Sequence, residues 1–300
     1  VLELSTIHLL EIPNRNKLAL TNSSPPQTLR TAPFTSLSIS DYNETPHATL
    51  LLLHWPKILT SFTFESFYSN PYTMTYPLFE TWLLVHSTTL TYIDIGYLRS
   101  PSRLFNATLF PNLEFLRLSR WQMHTPVQFV DEEDGNILGP ALKTFSWSFT
   151  IYDQHSEGWR SFGDAEENWV RRLGECAARR GAGLEKIEIL FRPDDYWGTK
   201  EEMGYPWDRM DRVRDEILRP NGVELVYSEP LISRDAWLEF VRRKKGEDGE
   251  DEVVEEDGAE DQRSIEADEW ENEEVLGPEL QSAYQGEDIR EYFISMPKDS

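Results

Sequence analysis

A short unit, apolar-x-x-apolar-x-apolar, recurs along this chain and constrains its fold more than any other feature. It appears at Leu4/Ile7/Leu9, Phe34/Leu37/Ile39, Leu59/Phe62/Phe64, Leu90/Ile93/Ile95, Leu113/Leu116/Leu118, Leu142/Phe145/Trp147 and Leu184/Ile187/Ile189. A degraded copy follows at Gly222/Leu225/Tyr227, and the starts lie 30, 25, 31, 23, 29, 42 and 38 residues apart. With 39% apolar residues, three such positions coincide by chance at about 6% of sites, so the pattern needs support from its surroundings. Pro33, Pro56, Pro111, Pro140 and Gly183 supply it, each standing just before a unit, where a helix or loop must stop before a strand begins.

The segments between units read as helices. From Pro77 to Leu90, Leu78, Trp82 and Val85 share one face. Asp164 to Arg180 places Trp169, Val170, Leu173, Cys176 and Ala177 together, and Trp207 to Leu218 does the same for Trp207, Met210, Val213, Ile217 and Leu218. Acids open the second of these segments and Arg179 and Arg180 close it, as the helix dipole prefers. Strands alternating with helices at this interval predict parallel strands joined by crossover helices. The strands themselves alternate apolar and polar, as in Leu116-Arg117-Leu118, Ile93-Asp94-Ile95 and Ile187-Glu188-Ile189. One face is therefore packed and the other wet, which favours a solenoid over a doubly wound sheet covered on both sides.

Charge divides the chain. Its formal net charge is −24, yet residues 247–279 hold 17 acids against the single base Arg263, and residues 1–246 come to only −6. The expected organisation is a folded body over residues 1–245, closed by a helix after Ser233, then a disordered acidic tail over 246–279 and a disordered end over 280–300. The only long basic run, Arg242 to Lys245, abuts that acidic tail, so nucleic acid is not an expected partner. The longest purely aliphatic run, Leu50 to Leu53, is far too short to span a membrane. Cys176 is the one cysteine, which excludes an intramolecular disulfide and any CxxC metal site. Val1 opens directly into a repeat strand with no signal-peptide core, so the expected location is cytoplasmic or nuclear.

Catalytic and cofactor motifs are missing from the sequence. None of the six histidines stands in HExxH, Gly158 to Gly163 has the spacing GxxSxG in place of GxSxG, and no phosphate-cradling glycine loop occurs. Asp131 to Asn136 lacks the alternation of a calcium loop and reads as a solvated acidic turn. Cys176 reads as a buried apolar residue, and the sequons at Asn22, Asn43 and Asn106 as coincidence. No cofactor or metal is expected. The aromatics Trp121, Trp147, Trp159, Tyr196, Trp197, Tyr205 and Trp207 read first as filler between irregular repeats and second as binding anchors. Geometry should expose Asp94, Arg117, Ser146 and Glu188 on the wet face. The strand-end loop with Arg192, Tyr196 and Trp197 is the place to look for a partner surface.

The units Pro111-Asn112-Leu113-Glu114-Phe115-Leu116-Arg117-Leu118 and Leu90-Thr91-Tyr92-Ile93-Asp94-Ile95 resemble irregular leucine-rich repeats. Long variable helices, Trp-rich connections and the acidic tail are similar to the repeat regions of fungal F-box proteins. This resemblance spans roughly residues 1–245 and implies an α/β leucine-rich-repeat-like solenoid, a curved parallel sheet with helices on its convex side. It also implies a substrate receptor for a cullin-type ubiquitin ligase, with protein substrates and the ligase adaptor as partners and no enzyme chemistry of its own. Two departures stand out. The position that usually carries an asparagine ladder holds Ile12, Tyr42, Phe67, Leu98, Trp121, Thr150 and Arg192, so packing must hold the repeats together. The F-box itself is not visible, and on this reading it lies upstream of Val1. The competing expectations are a stand-alone repeat scaffold whose tail tethers basic partners, and an α/β enzyme with an unrecognised pocket.

Overall fold

The computed structural model describes residues 6–10, 29–42, 45–66, 74–98, 101–123, 127–150, 158–193, 204–230 and 232–250. Every one of the repeated units becomes a strand. These are β1 (Thr6–Leu10), β2 (Ser36–Tyr42), β3 (Ser61–Ser66), β4 (Tyr92–Ile95), β5 (Phe115–Ser119), β6 (Thr144–Ser148), β7 (Lys186–Leu190) and β8 (Glu224–Tyr227). They pair in sequence order as one 8-stranded sheet, parallel throughout. Helices flank this sheet, giving a solenoid-like α/β arrangement.

Register converts the unit into a core. Leu37, Phe62, Ile93, Leu116, Phe145, Ile187 and Leu225 lie side by side across the sheet, and all are buried. A second row runs Ile39, Phe64, Ile95, Leu118, Trp147 and Ile189. The first apolar residue of each unit (Phe34, Leu59, Leu90, Leu113, Leu142, Leu184) is buried just before its strand. There the backbone turns also bond to one another: Thr60 N–H to Thr35 O, Thr91 to Thr60, Glu114 to Thr91, Lys143 to Glu114, Glu185 to Lys143 and Glu224 to Glu185. Each buried aliphatic side chain contributes roughly 1.5–3 kcal/mol by leaving water.

The crossovers vary more than the strands. The helix α1 (Pro46–His54) starts where Thr45 Oγ1 accepts from Ala48 N at 3.2 Å. Its run of four leucines hides any amphipathic period. Next, α2 (Tyr76–Leu83) tightens into a 3-10 turn at Leu84–His86. Among the described residues, the segments from β4 to β5 and from β5 to β6 carry only 3-10 turns, at Ala107–Leu109, Arg120–Gln122 and Asp134–Ile137, where helices were expected. Pro101, Pro111, Gly135, Gly139 and Pro140 punctuate those stretches and work against a longer helix.

The longest crossover, α3 (Asp164–Arg180), matches its sequence signals at both ends. Glu166 Oε2 accepts from Gly163 N–H at 2.9 Å, and Gly181 closes the helix at φ 61°. The following α4 (Pro206–Val213) runs on into a π-helical turn at Arg214–Leu218. Leu218 lies against Gly174 of α3 so closely that any side chain there would collide with it. Finally α5 (Arg234–Glu250) begins at the Ser233 cap and passes Gly246, the expected domain boundary. Tail residues 251–300 lie outside the described residues.

Two histidines clasp α1 to α2 and the turn that follows it. His54 Nε2–H donates to Trp82 O at 3.2 Å, and His86 Nε2–H donates to Leu53 O at 2.9 Å. Burial lowers both imidazoles, His86 to about 4, with nearby Arg30 adding to the effect. The unfolded chain therefore binds the His86 proton more tightly than the folded one. Its contribution to stability is complete above the ordinary value of 6.5 and is lost as pH falls through about 4. The full effect is about 3 kcal/mol. The variant His86→Gln keeps a side-chain N–H for Leu53 but cannot titrate. Urea unfolding at pH 7 and pH 4 should show the wild type losing about 3 kcal/mol more than this variant. Parallel losses would contradict the clasp.

Candidate functional site

Because the apolar positions of each strand point into the core, the alternate positions line the other face, and parallel register sets them in rows. One row runs Thr63, Asp94, Arg117, Ser146, Glu188 and Val226 on six consecutive strands. Four residues singled out in the sequence, Asp94, Arg117, Ser146 and Glu188, are thus neighbours in one line. They form a connected polar chain: Arg117 Nη1 donates to Asp94 Oδ2 at 2.9 Å and its Nε donates to Ser146 Oγ at 3.0 Å. Arg117 Nη2 also lies 3.9 Å from Glu188 Oε2, and Lys186 Nζ pairs with Glu188 Oε1 at 2.7 Å.

The sequence expected all four to be exposed. Arg117 and Glu188 are partly so, but Asp94 is only 6% exposed and Ser146 is fully buried. Arg117 lies across its row neighbours and bonds to both, which takes their polar atoms out of solvent. Burial pushes the Asp94 carboxyl up to about 6, against the pull of Arg117 and with Glu65 adding to the rise. Burial likewise pushes the Tyr92 hydroxyl up to about 12, and that hydroxyl donates to Asp94 Oδ2 at 3.3 Å.

Tyr92 and Phe115 were not singled out in the sequence. They are register partners in the adjoining row, with Thr144 and Lys186 continuing it. Their rings stack at 4.5 Å with planes 3° apart, and the Arg117 guanidinium sits 5.4 Å from the Phe115 ring centre. Both rings are half-buried, which leaves an apolar platform beside the polar chain. The signal was present in the alternation: two aromatics occupy polar-face positions on adjacent strands.

Other candidates separate from this face. Arg192 is exposed just past β7, while Tyr196 and Trp197 lie outside the described residues. Trp147, Trp159, Tyr205 and Trp207 are buried, joined by Trp169 and Trp237 in edge and tilted ring contacts, so these aromatics are core. Trp121 is half-buried, and its indole N–H donates to Phe149 O at 2.6 Å. It thereby serves the backbone of the next repeat from the position where a regular repeat places asparagine. A cavity of about 230 Å³ opens beside Leu104, Met123, Val127 and Trp169. Two of its charged groups already have partners: Arg103 holds Glu80, and Asp134 accepts from Val130 N and Trp169 Nε1. Among the described residues no cluster of His, Cys, Asp and Glu could hold a metal ion, and no helix is long and apolar enough to cross a membrane.

Asp94 provides a direct check on the polar chain. Its folded value of about 6 stands above the ordinary 3.8, so the folded state binds this proton more tightly than the unfolded one. The associated stability is fully present below 3.8 and is lost as pH rises through about 6. Asp94→Asn keeps an acceptor for Arg117 without the charge. It should stabilise the protein at pH 8 by up to about 3 kcal/mol and have almost no effect below pH 4, read by chemical denaturation across that range. A loss of stability at pH 8 would mean the ion pair with Arg117 outweighs the desolvation of Asp94.

No family model matches this chain, and neither a curated protein nor a solved structure does.

Proposed function

We propose that the body of this chain is a leucine-rich-repeat-like protein-recognition module and that it serves as the substrate-binding region of an F-box-type ubiquitin ligase receptor. The observation that carries this reading is the face with Asp94, Arg117, Ser146 and Glu188 in one row beside the stacked Tyr92 and Phe115. A parallel sheet packed on one side only presents a broad surface whose side chains are fixed by register, a geometry suited to holding another protein. Its polar groups bond to each other and its aromatic pair is rigid, so partner binding pays little ordering entropy. Rigid aromatics flanked by Arg are the residues that dominate binding energy at protein interfaces. The partners on this reading are a protein substrate and the cullin-type ligase adaptor, in cytoplasm or nucleus. The ubiquitin link rests on the resemblance of the repeat units, and the sheet face supports the recognition role alone.

The test separates these two layers. The product of the full coding sequence, expressed in its own organism, should co-purify with the F-box-binding adaptor. Replacing Tyr92 and Phe115 together by alanine should leave adaptor capture unchanged and reduce substrate capture about tenfold, read by quantitative mass spectrometry. Retained substrate with no adaptor would favour the stand-alone scaffold. Substrate capture unaffected by the double replacement would remove the sheet face from the reading.

A further inference from the structure

A second surface lies at the turns that lead from the crossovers into the strands. Seven large apolar side chains are exposed among the described residues, and five of them (Trp55, Ile58, Leu84, Val85 and Leu109) stand at three successive turns of this kind, each between 39 and 44% exposed. Backbone and side-chain bonds tie these turns together. Arg30 N–H donates to His54 O and Thr31 N–H to Trp55 O, while Arg30 Nη1 donates to Val85 O at 2.8 Å. Asn112 Nδ2 donates to Thr88 O at 2.7 Å, joining the second turn to the third. The apolar residues therefore follow one another on adjacent turns along the edge of the repeats, and exposed apolar surface grouped in this way marks interaction sites.

Charge narrows the partner. Residues 29–40, 45–63, 81–93 and 95–113 contain no Asp or Glu, in a chain whose formal net charge is −24. The exposed Arg30 and Lys57 stand in these segments beside the apolar strip, so this edge is locally positive. We propose that the turn edge built by Trp55, Ile58, Leu84, Val85 and Leu109 docks an acidic amphipathic segment of another protein, its apolar side on the strip and its carboxylates toward Arg30 and Lys57. An anionic membrane fits less well: polybasic membrane sites use about 4–8 Lys or Arg, whereas Arg30 and Lys57 are the exposed cations beside this strip. This edge differs from the sheet face in residues and in chemistry, so it stands or falls independently of the receptor reading.

The test uses the full chain and a fluorescein-labelled, roughly 18-residue peptide with leucines at helical spacing on one side and glutamates on the other. Two control peptides carry serine for leucine or glutamine for glutamate. The variant combines Lys57→Glu, Ile58→Ser and Leu84→Ser, all exposed positions, with far-UV circular dichroism and unfolding confirming its fold. Fluorescence anisotropy should show saturable binding of the first peptide, about tenfold weaker binding of each control, and about tenfold weaker binding by the variant. Equal binding by wild type and variant, equal binding of the glutamine control, or no binding of the first peptide would overturn the proposal. Flotation with vesicles of phosphatidylcholine containing about one-third phosphatidylserine supplies the other arm. Vesicle binding that the variant loses, with no discrimination among peptides, would assign the edge to a membrane and overturn it as well.

Discussion

Parallel pairing between strands that are neighbours in sequence is the constraint on which the rest of the structure depends. Each strand bonds only to the one before and the one after it, in a register that sets equivalent positions of successive units side by side. A slip of one residue would turn Leu116 and Leu118 to the polar face and bring Arg117 into the core, so the packed side enforces the pairing. The turn ladder from Thr35 to Glu224 extends that register one step beyond the strands. With register held in this way the crossovers are free to differ in length and kind. Stability is then close to a sum of unit and nearest-neighbour terms, as in other stacked-repeat architectures.

The same constraint produces the polar face. Register that stacks leucine on phenylalanine on one side must stack whatever lies between them on the other. Asp94, Arg117, Ser146 and Glu188 are therefore brought into one line by the geometry that builds the core. Once aligned, they have to neutralise each other, because a half-buried charge without a partner costs more than an exposed one. Arg117 does this for both neighbouring strands and also covers the Phe115 ring. Asp94, the most deeply buried of the charged groups in the row, still carries a desolvation cost larger than the help it receives. The face is thus polar in composition but largely saturated within itself.

Strands were legible in the sequence because they depend on residues close together in it. The unit places three apolar residues within six positions, and each copy became a strand, even the degraded one at Gly222, where Val223 takes the buried place just before β8. The helix α3 was legible to the residue because its acids, its bases and Gly181 all lie at its ends. What could not be read depends on distance. The buried pair of Arg120 with Glu166 joins residues 46 apart, and Arg103 with Glu80 joins residues 23 apart. Nothing in either local stretch announces the partner. The helix α1 escaped because continuous leucines carry no period, and Tyr92 with Phe115 escaped because each is unremarkable on its own strand. Only register makes them a pair.

The two accessible surfaces follow from different parts of the repeat and so differ in physical character. On the sheet face every position has a lateral neighbour at strand spacing, which favours mutual pairing and leaves a rigid surface that selects by shape. At the turn edge the neighbours are joined through backbone carbonyls, as Arg30 and Asn112 show, and large apolar side chains between them stay partly exposed. Apolar residues there cannot be absorbed by the core, because the buried residue of each turn already fills its space: Leu59, Leu90 and Leu113. Trp55 illustrates the limit. It packs its ring edge-on against Phe34 at 5.6 Å and still keeps 40% of its surface exposed. An edge that leaves apolar side chains exposed at three successive turns, with Arg30 and Lys57 beside them, presents hydrophobic surface and positive charge together.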